Sequence, residues 1–531
     1  MELITVVESA AEILRSSMSL VDKLSPDVLF NRLPPDVLSI IFHLVPDSPW
    51  IWEQKEHGDL EFQWAYPVWS PCYVKPGSCV RLSHVCHLWR ELTLSLPTLW
   101  SNVIDSYSVS VPVDVMVRRS QTAPLDIYLR DSPQGYLKNL LSSGDSKRIR
   151  SVWLEARFDA PAEELLAPLA APGVESVVVM SHQYFYTHKP LRSILLFGGR
   201  TPRITQLVLS NTYWLPANNM PSLTQLQIGN IICSGFYLEI LSVLERTPNL
   251  IDLILTDIRC PEHSPPEPRA IRLPKLAMIR LGGDHEYNSG LGNILSCLSV
   301  ADTTALRMGE SCCQLPHLPV IQAITKISVL RENFGYTLVA TGPLSGIYVY
   351  SDRPDHDDLF MLMIRRLPLV QIWESWVIER IALNYATFTS LLPSMPRLEK
   401  LVVLAESVED VVGILLEPSD PSQAPLSRSG MTVHIIMQDS DVNIAVLIGL
   451  IVRQKEVNVA HLIIGYHRTY DGPQIERSCL AKEFQLVEFT NHEEFPYMDL
   501  PPVRTESAHD DWRSWFEAWD GFDAPSTMGN A

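Results

Sequence analysis

Long apolar runs are missing from this chain. The longest, Ile444 to Val452, falls far short of the ~20 residues a membrane span requires. Dense basic runs are missing too: Arg118-Arg119 and Arg365-Arg366 are isolated pairs in a chain with 42 basic and 61 acidic residues and a net charge of −19. Such a balance repels phosphate backbones and argues against nucleic acid as a partner. No glycine-rich phosphate loop of either common form occurs, and neither G-x-S-x-G nor H-E-x-x-H is present. Cysteines are few and odd in number: Cys72, Cys79, Cys86, Cys233, Cys260, Cys297, Cys312, Cys313 and Cys479. In a chain of this size they read as reduced thiols rather than a disulfide framework. The N-terminus places Glu2 and Glu8 where a secretory signal would be positive, and Glu12 breaks its apolar run. The expectation is a soluble protein of the cytoplasm or nucleus, with no membrane and no nucleic-acid partner.

What is present is abundant apolar material, 46% of 531 residues, enough for two to four domains or one long repeat array. Residues 1–25 place Ile4, Val7, Ala11, Leu14, Met18 and Val21 at helical spacing and predict an amphipathic helix. In RLPPDVLSIIFHLVP, Pro34-Pro35 suits a helix start. Val37, Leu38, Ile41, Phe42 and Val45 then form an apolar stripe. Residues 47–78, rich in Trp, Pro and acid, lack periodicity and read as a loop insertion. Residues 79–100 resume helical spacing with Leu82, Val85, Cys86, Trp89, Leu92 and Thr93. Pro97 ends that helix, and Leu99-Trp100 follow as a buried plug.

From about residue 105 to 495 the pattern is one of short apolar strands, several with the common lead-in Pro-x-Φ-x-x-Φ-x-Φ, where Φ is apolar. Examples are MPSLTQLQIGN (220–230), TPNLIDLILTD (247–257) and MPRLEKLVVLA (395–405). The anchors Leu207, Leu226, Leu253 and Ile279 are 19, 27 and 26 residues apart, near the period of leucine-rich repeats. Asn211 and Asn230 stand where such repeats carry an asparagine. Strands containing the four anchors are expected to lie parallel and adjacent. Residues 300–370 have strand-like pieces without the lead-in. In the tail, residues 496–531, Trp512, Trp515, Phe516 and Trp519 share one helical face and predict a capping helix.

The order LPP-D-Φ-Φ-x-x-I-F, then Φ-x-x-V-C-x-x-W-R-x-Φ, then P-x-L-W over residues 26–104 resembles an F-box. The residues that carry it are Leu33, Pro34, Val37, Leu38, Ile41 and Phe42, then Leu82, Val85, Cys86, Trp89, Arg90, Leu92, Pro97, Leu99 and Trp100. The segment VRRSQTAPLDIYLRD and the weak repeats resemble fungal F-box proteins with degenerate leucine-rich repeats. The insertion at 47–78 departs from the family. The resemblance implies an α/β chain: a helical F-box followed by an irregular leucine-rich-repeat-like solenoid with a parallel sheet. It also implies a non-catalytic substrate-receptor subunit of an SCF-type cullin–RING ubiquitin ligase. The F-box would bind the Skp-type adaptor, and through it the cullin, and the repeats would bind a protein target. Leu33, Pro34, Val37, Leu38, Ile41, Phe42, Leu82, Val85 and Trp89 are the implied adaptor contacts. The alternative is a non-ligase F-box scaffold, and a third reading hides an enzyme in 300–490.

No cofactor and no metal are expected. Cys79, His84, Cys86 and His87 do not have zinc spacing. Asp355, His356, Asp357 and Asp358 suit a helix N-terminus. Asp284, His285 and Glu286 suit a turn, and Cys312-Cys313 a buried thiol pair. The acidic balance favours basic targets.

Overall fold

Proline placement governs where several elements begin. The computed structural model describes residues 33–44, 76–105, 112–130, 144–156, 166–169, 171–181, 192–200, 203–232, 236–259, 270–282, 289–309, 318–332, 335–351, 364–379, 394–405, 408, 430–438, 459–472, 475, 480, 484–493, 498–499 and 501. The expected helices at 1–25 and 512–519 lie outside these residues, as do nearly all of the 47–78 insertion, Asp284 to Glu286, Cys312-Cys313 and Asp355 to Asp358. The chain divides into two units. One is Met1–Gln63 with Trp69–Ala160 and Leu169–Val174; the other is Trp64–Val68 with Pro161–Pro168 and Glu175–Ala531.

In the first unit, α1 (Pro35–Leu44) starts on a proline whose missing N–H costs nothing there, and Leu38 N–H closes its first turn onto Pro34 O at 3.1 Å. The expected single helix over 79–100 is two helices, α2 (Pro76–Ser83) and α3 (His87–Ser95). Cys86 breaks them: its backbone is extended (φ −156°, ψ 174°), and its sulfur accepts the Trp89 N–H as an N-cap. Pro76 to Ser78, assigned to the insertion by sequence, are the first turn of α2. A 3₁₀ turn, Pro97–Trp100, then buries Leu99 and Trp100. The unit continues with strand β1 (Asn102–Asp105), helix α4 (Val113–Arg119), and strands β2 (Leu125–Arg130) and β3 (Ile149–Ala156). β1, β2 and β3 pair in parallel in that order, so the unit extends beyond residue 104.

The second unit holds a large, mostly parallel sheet with few helices, so the fold is mixed α/β. Its strands begin with β4 (Ser176–Ser181), β5 (Arg192–Ile194), β6 (Gln206–Ser210), β7 (Trp214–Pro216), β8 (Gln225–Ile232), β9 (Asp252–Arg259), β10 (Ile271–Arg272) and β11 (Met278–Gly282). Next come β12 (Leu298–Ser299), β13 (Ala305–Gly309), β14 (Lys326–Glu332), β15 (Gly335–Thr341) and β16 (Gly346–Ser351). The last are β17 (Glu374–Glu379), β18 (Lys400–Leu404), β19 (Met431–Met437), β20 (Val459–His467) and β21 (Leu486–His492). Helices α5 (Phe236–Glu245) and α6 (Ser289–Ser296) lie between strands in sequence, and β5–β7 and β10–β12 form small parallel pairs of their own.

Strands β4, β6, β8, β9, β11 and β13 run parallel side by side. The anchors meet in one ladder: Leu207 opposes Leu226, which opposes Leu253, which opposes Ile279, and all four are fully buried. The shared lead-in is a turn with proline second. Leu223 N–H bonds Met220 O, Leu250 N–H bonds Thr247 O, Leu276 N–H bonds Leu273 O, and Leu398 N–H bonds Met395 O, at 3.1–3.2 Å. Proline's fixed φ presets that position. Asn211, Asn230 and Asp257, one past the register pairs Ser210–Gly229 and Gly229–Thr256, all have positive φ (56°, 52°, 51°). Asn and Asp tolerate this left-handed backbone best among non-glycine residues. Asp257 extends by one the pair recognised from sequence.

The stretch 300–370 departs from the simple order. β13 pairs in parallel with β16; β16, β15 and β14 form an antiparallel meander; and β14 pairs in parallel with β17. The spatial order is therefore β13-β16-β15-β14-β17, after which β18 to β21 follow in parallel. The buried ladder continues through this reversal: Leu306 opposes Ile347, Ala340 opposes Ile327, and Leu401 opposes Val433 and then Leu462.

Candidate functional site

In the first unit the F-box-like residues of α1 to α3 divide into core and surface. Leu38 and Phe42 are fully buried, so they belong to the core rather than to an open contact surface. Phe42 packs against Trp89 with ring centroids 4.8 Å apart, and Trp89 is half-buried. Leu33, Ile41 and Leu82 are half-buried, and Pro34 is exposed. Val37 is 39% and Val85 60% exposed. Three exposed apolar side chains fell outside the sequence expectation: Ile40, 59% exposed, and Leu88 and Leu94, each 38%. Ile40 lies off the stripe of Val37, Leu38, Ile41 and Phe42. An apolar residue off the core stripe was the signal available for it.

The plug after α3 fixes these helices. Trp100 Nε1 donates to Thr93 O at 2.9 Å, the Arg119 guanidinium lies 4.3 Å from the Trp100 ring centroid, and His43 Nε2 meets Thr98 Oγ1 at 2.8 Å. Cys79 donates its thiol to Leu99 O at 3.1 Å, and Cys86 is the cap of α3. These cysteines therefore have structural partners. Among the described residues no group of three or more His, Cys, Asp or Glu could hold a metal ion.

In the second unit the sheet face opposite the anchor ladder carries the unusual chemistry. At its centre Glu374 (β17), 4% exposed at its side chain, lies between Lys326 (β14) and Lys400 (β18). Its carboxylate oxygens are 3.1 Å and 2.7 Å from the two ammonium groups, and Trp376 Nε1 donates at 2.9 Å. Burial alone would raise its pKa; hydrogen bonds from Lys400, Trp376 and Lys326 outweigh that and hold it below the usual carboxylate value. Removing one member of a buried pair costs roughly 3–5 kcal/mol. Lys400 keeps 35% of its side chain in water, so screening reduces the loss. Glu374→Gln is expected to lower stability by about 2 kcal/mol in urea titration, and by less in high salt.

At β19 to β21 four histidines gather: His434, His461, His467 and His492. The His434 and His492 ring centroids are 5.4 Å apart. Gly465 lies beneath them; a Cβ there would be 2.6 Å from His492 Nε2 and 2.8 Å from His434 Nε2, so only glycine leaves them room. His434 is 7% exposed and its Nε2 is buried without a hydrogen-bond partner. Desolvation first, then the charges of His492, Lys400 and His461, push its pKa down to about 4. Burial, and then His467, lowers that of His492. His434 and His492 are thus both disfavoured from charging, and Glu488 is set against His461 at 3.6 Å rather than against His434. No sequence pattern announces this group, because its members come from three strands and only the register assembles them.

The chain matches no known protein family and no curated protein. Among the described residues no helix is long and apolar enough to cross a membrane.

Proposed function

We propose that this chain is a non-catalytic substrate receptor of an SCF-type cullin–RING ubiquitin ligase, with its F-box-like helices holding the Skp-type adaptor and its second unit holding a protein target. The observation that carries this reading is the F-box-like residue order laid over helices that expose Val37, Ile40, Val85 and Leu88. Apolar side chains left in water at this density mark a surface that a partner covers. Support for a degenerate repeat in the second unit comes from the in-register anchors, the proline turns and the positive-φ Asn211, Asn230 and Asp257. A receptor of this kind performs no chemistry; it raises the effective concentration of a target lysine near the charged enzyme.

The full-length chain is expected to co-purify with the Skp-type adaptor. Val37→Glu combined with Val85→Glu should cut recovery of the adaptor at least tenfold without moving the thermal melt, because both positions are exposed. Leu38→Ala is an unsuitable probe, since it would open a cavity in the core. Absence of the adaptor from the wild-type preparation would overturn the reading. Adaptor binding with unchanged ubiquitination of co-purified proteins in the double variant would instead support the non-ligase scaffold.

A further inference from the structure

A glycine inside a strand weakens it and marks a place where another group comes close. Gly465 is such a residue in β20. It pairs with Ile436 of β19 on one side and with Thr490 of β21 on the other. The space above it is lined by rings from both neighbouring strands. The three atoms nearest to a Cβ placed there are His492 Nε2, His492 Cδ2 and His434 Nε2, at 2.6, 2.7 and 2.8 Å. Both Nε2 atoms thus converge within 2.8 Å of one point, although their strands are separated by β20.

His434 is 7% exposed, and its Nε2 has no hydrogen-bond partner among the described residues. A buried ring nitrogen in this position costs stability until a donor or a Lewis acid meets it. His492 Nε2 lies 3.0 Å from Thr490 Oγ1, a hydroxyl that can turn its proton elsewhere. His461 is set against Glu488. His467 is not a third ligand: its Nδ1 accepts the Thr469 N–H at 3.3 Å, which in the neutral ring leaves the proton on Nε2. The two converging nitrogens are therefore those of His434 and His492.

Three properties select an ion for them. Imidazole nitrogens suit copper, zinc and nickel, and not the oxygen-seeking magnesium or calcium. Among the described residues no group of three or more His, Cys, Asp or Glu could hold a metal, which rules out a four-ligand zinc centre among them. Lys400, although held 2.7 Å from Glu374, still acts on His434 as a positive neighbour. A monovalent ion meets half the repulsion that a divalent one does. Copper(I) is monovalent, binds imidazole and is satisfied by two nitrogen ligands in line. Burial also keeps His434 neutral, the form that a metal requires, so no proton has to leave first.

We propose that the space over Gly465 is a two-histidine site for copper(I), with Nε2 of His434 and Nε2 of His492 as its ligands. Ligation there ties β19 to β21 across β20. This reverses the expectation of no metal, because the two ligands stand on separate strands and form no motif in sequence. The site lies wholly in the second unit and does not depend on the adaptor reading.

The test uses the full-length chain with its accessible thiols capped by iodoacetamide, since cysteines compete for copper(I). Copper(I) is supplied under argon as its bicinchoninate complex, and loss of that complex's colour reads transfer to the protein. The wild type is expected to take up a single equivalent. His434→Gln and His492→Gln should each lower the affinity at least about tenfold. His87→Gln, at a side chain 81% exposed, should leave it unchanged. Uptake that both site variants retain is adventitious and overturns the proposal, as does histidine-dependent uptake of zinc with none of copper(I). If the variants do not fold, X-ray absorption at the copper edge of the loaded wild type decides. Nitrogen-only scattering from two ligands supports the site; sulfur scattering, or no bound copper, overturns it.

Discussion

Leu253→Ala is expected to cost about 4 kcal/mol of stability, read as a lower urea midpoint with the slope unchanged. Leu253 is fully buried, with Leu226 opposite it on one side and Ile279 on the other, each fully buried too. Truncating it removes three carbons' worth of transfer free energy and leaves a void that the flanking strands cannot close, because their register is fixed by backbone hydrogen bonds on both sides. Leu238→Ala in α5 is the matched control. Leu238 is 50% exposed, and its loss should stay within about 1 kcal/mol. Equal effects at the two positions would show that the anchor ladder is not the core of this sheet.

The second large effect is expected on acidification. His434 has a folded-state pKa of about 4, whereas an unfolded histidine titrates near 6.5. The unfolded chain therefore takes up a proton that the folded chain refuses. The stabilisation is fully present above pH 6.5 and is lost as pH falls from 6.5 toward 4. At ~1.4 kcal/mol per pKa unit the loss reaches about 3 kcal/mol across that window. His492, shifted in the same direction, adds to it. Lys400, His461 and His492 all raise the cost of charging His434, so acid makes the cluster repel itself. Urea midpoints measured between pH 7.5 and pH 4.5 should show this slope, and His434→Gln should flatten it. A variant that keeps the full slope would assign the acid response elsewhere. Gly465→Ala should be poorly tolerated at any pH, since its methyl would meet both rings.

Local order was legible where it depends on neighbours in sequence. Pro35 begins a helix, and Pro221, Pro248, Pro274 and Pro396 shape the turns that precede strands, because proline fixes its own φ whatever surrounds it. The period of Leu207, Leu226, Leu253 and Ile279 was readable as a parallel array, since only stacking of neighbours buries such a pattern. The break at Cys86 was not readable. Helical spacing of Leu82, Val85, Cys86 and Trp89 continues through it, yet the Cys86 backbone is extended and its sulfur caps a second helix.

The sequence by itself thus determined that strands would repeat, where their turns fall, and which side chains face inward along each one. Tertiary structure alone decided which strand neighbours which. The β13-β16-β15-β14-β17 order follows from antiparallel pairing of β14, β15 and β16, whose apolar patterns would fit either order equally. Tertiary structure also decided that Glu374 meets two lysines, that His434 and His492 share the space over Gly465, and that Met498 returns to the sheet it follows. Each of these joins residues remote in the chain, and side-chain pattern fixes a face without fixing a neighbour.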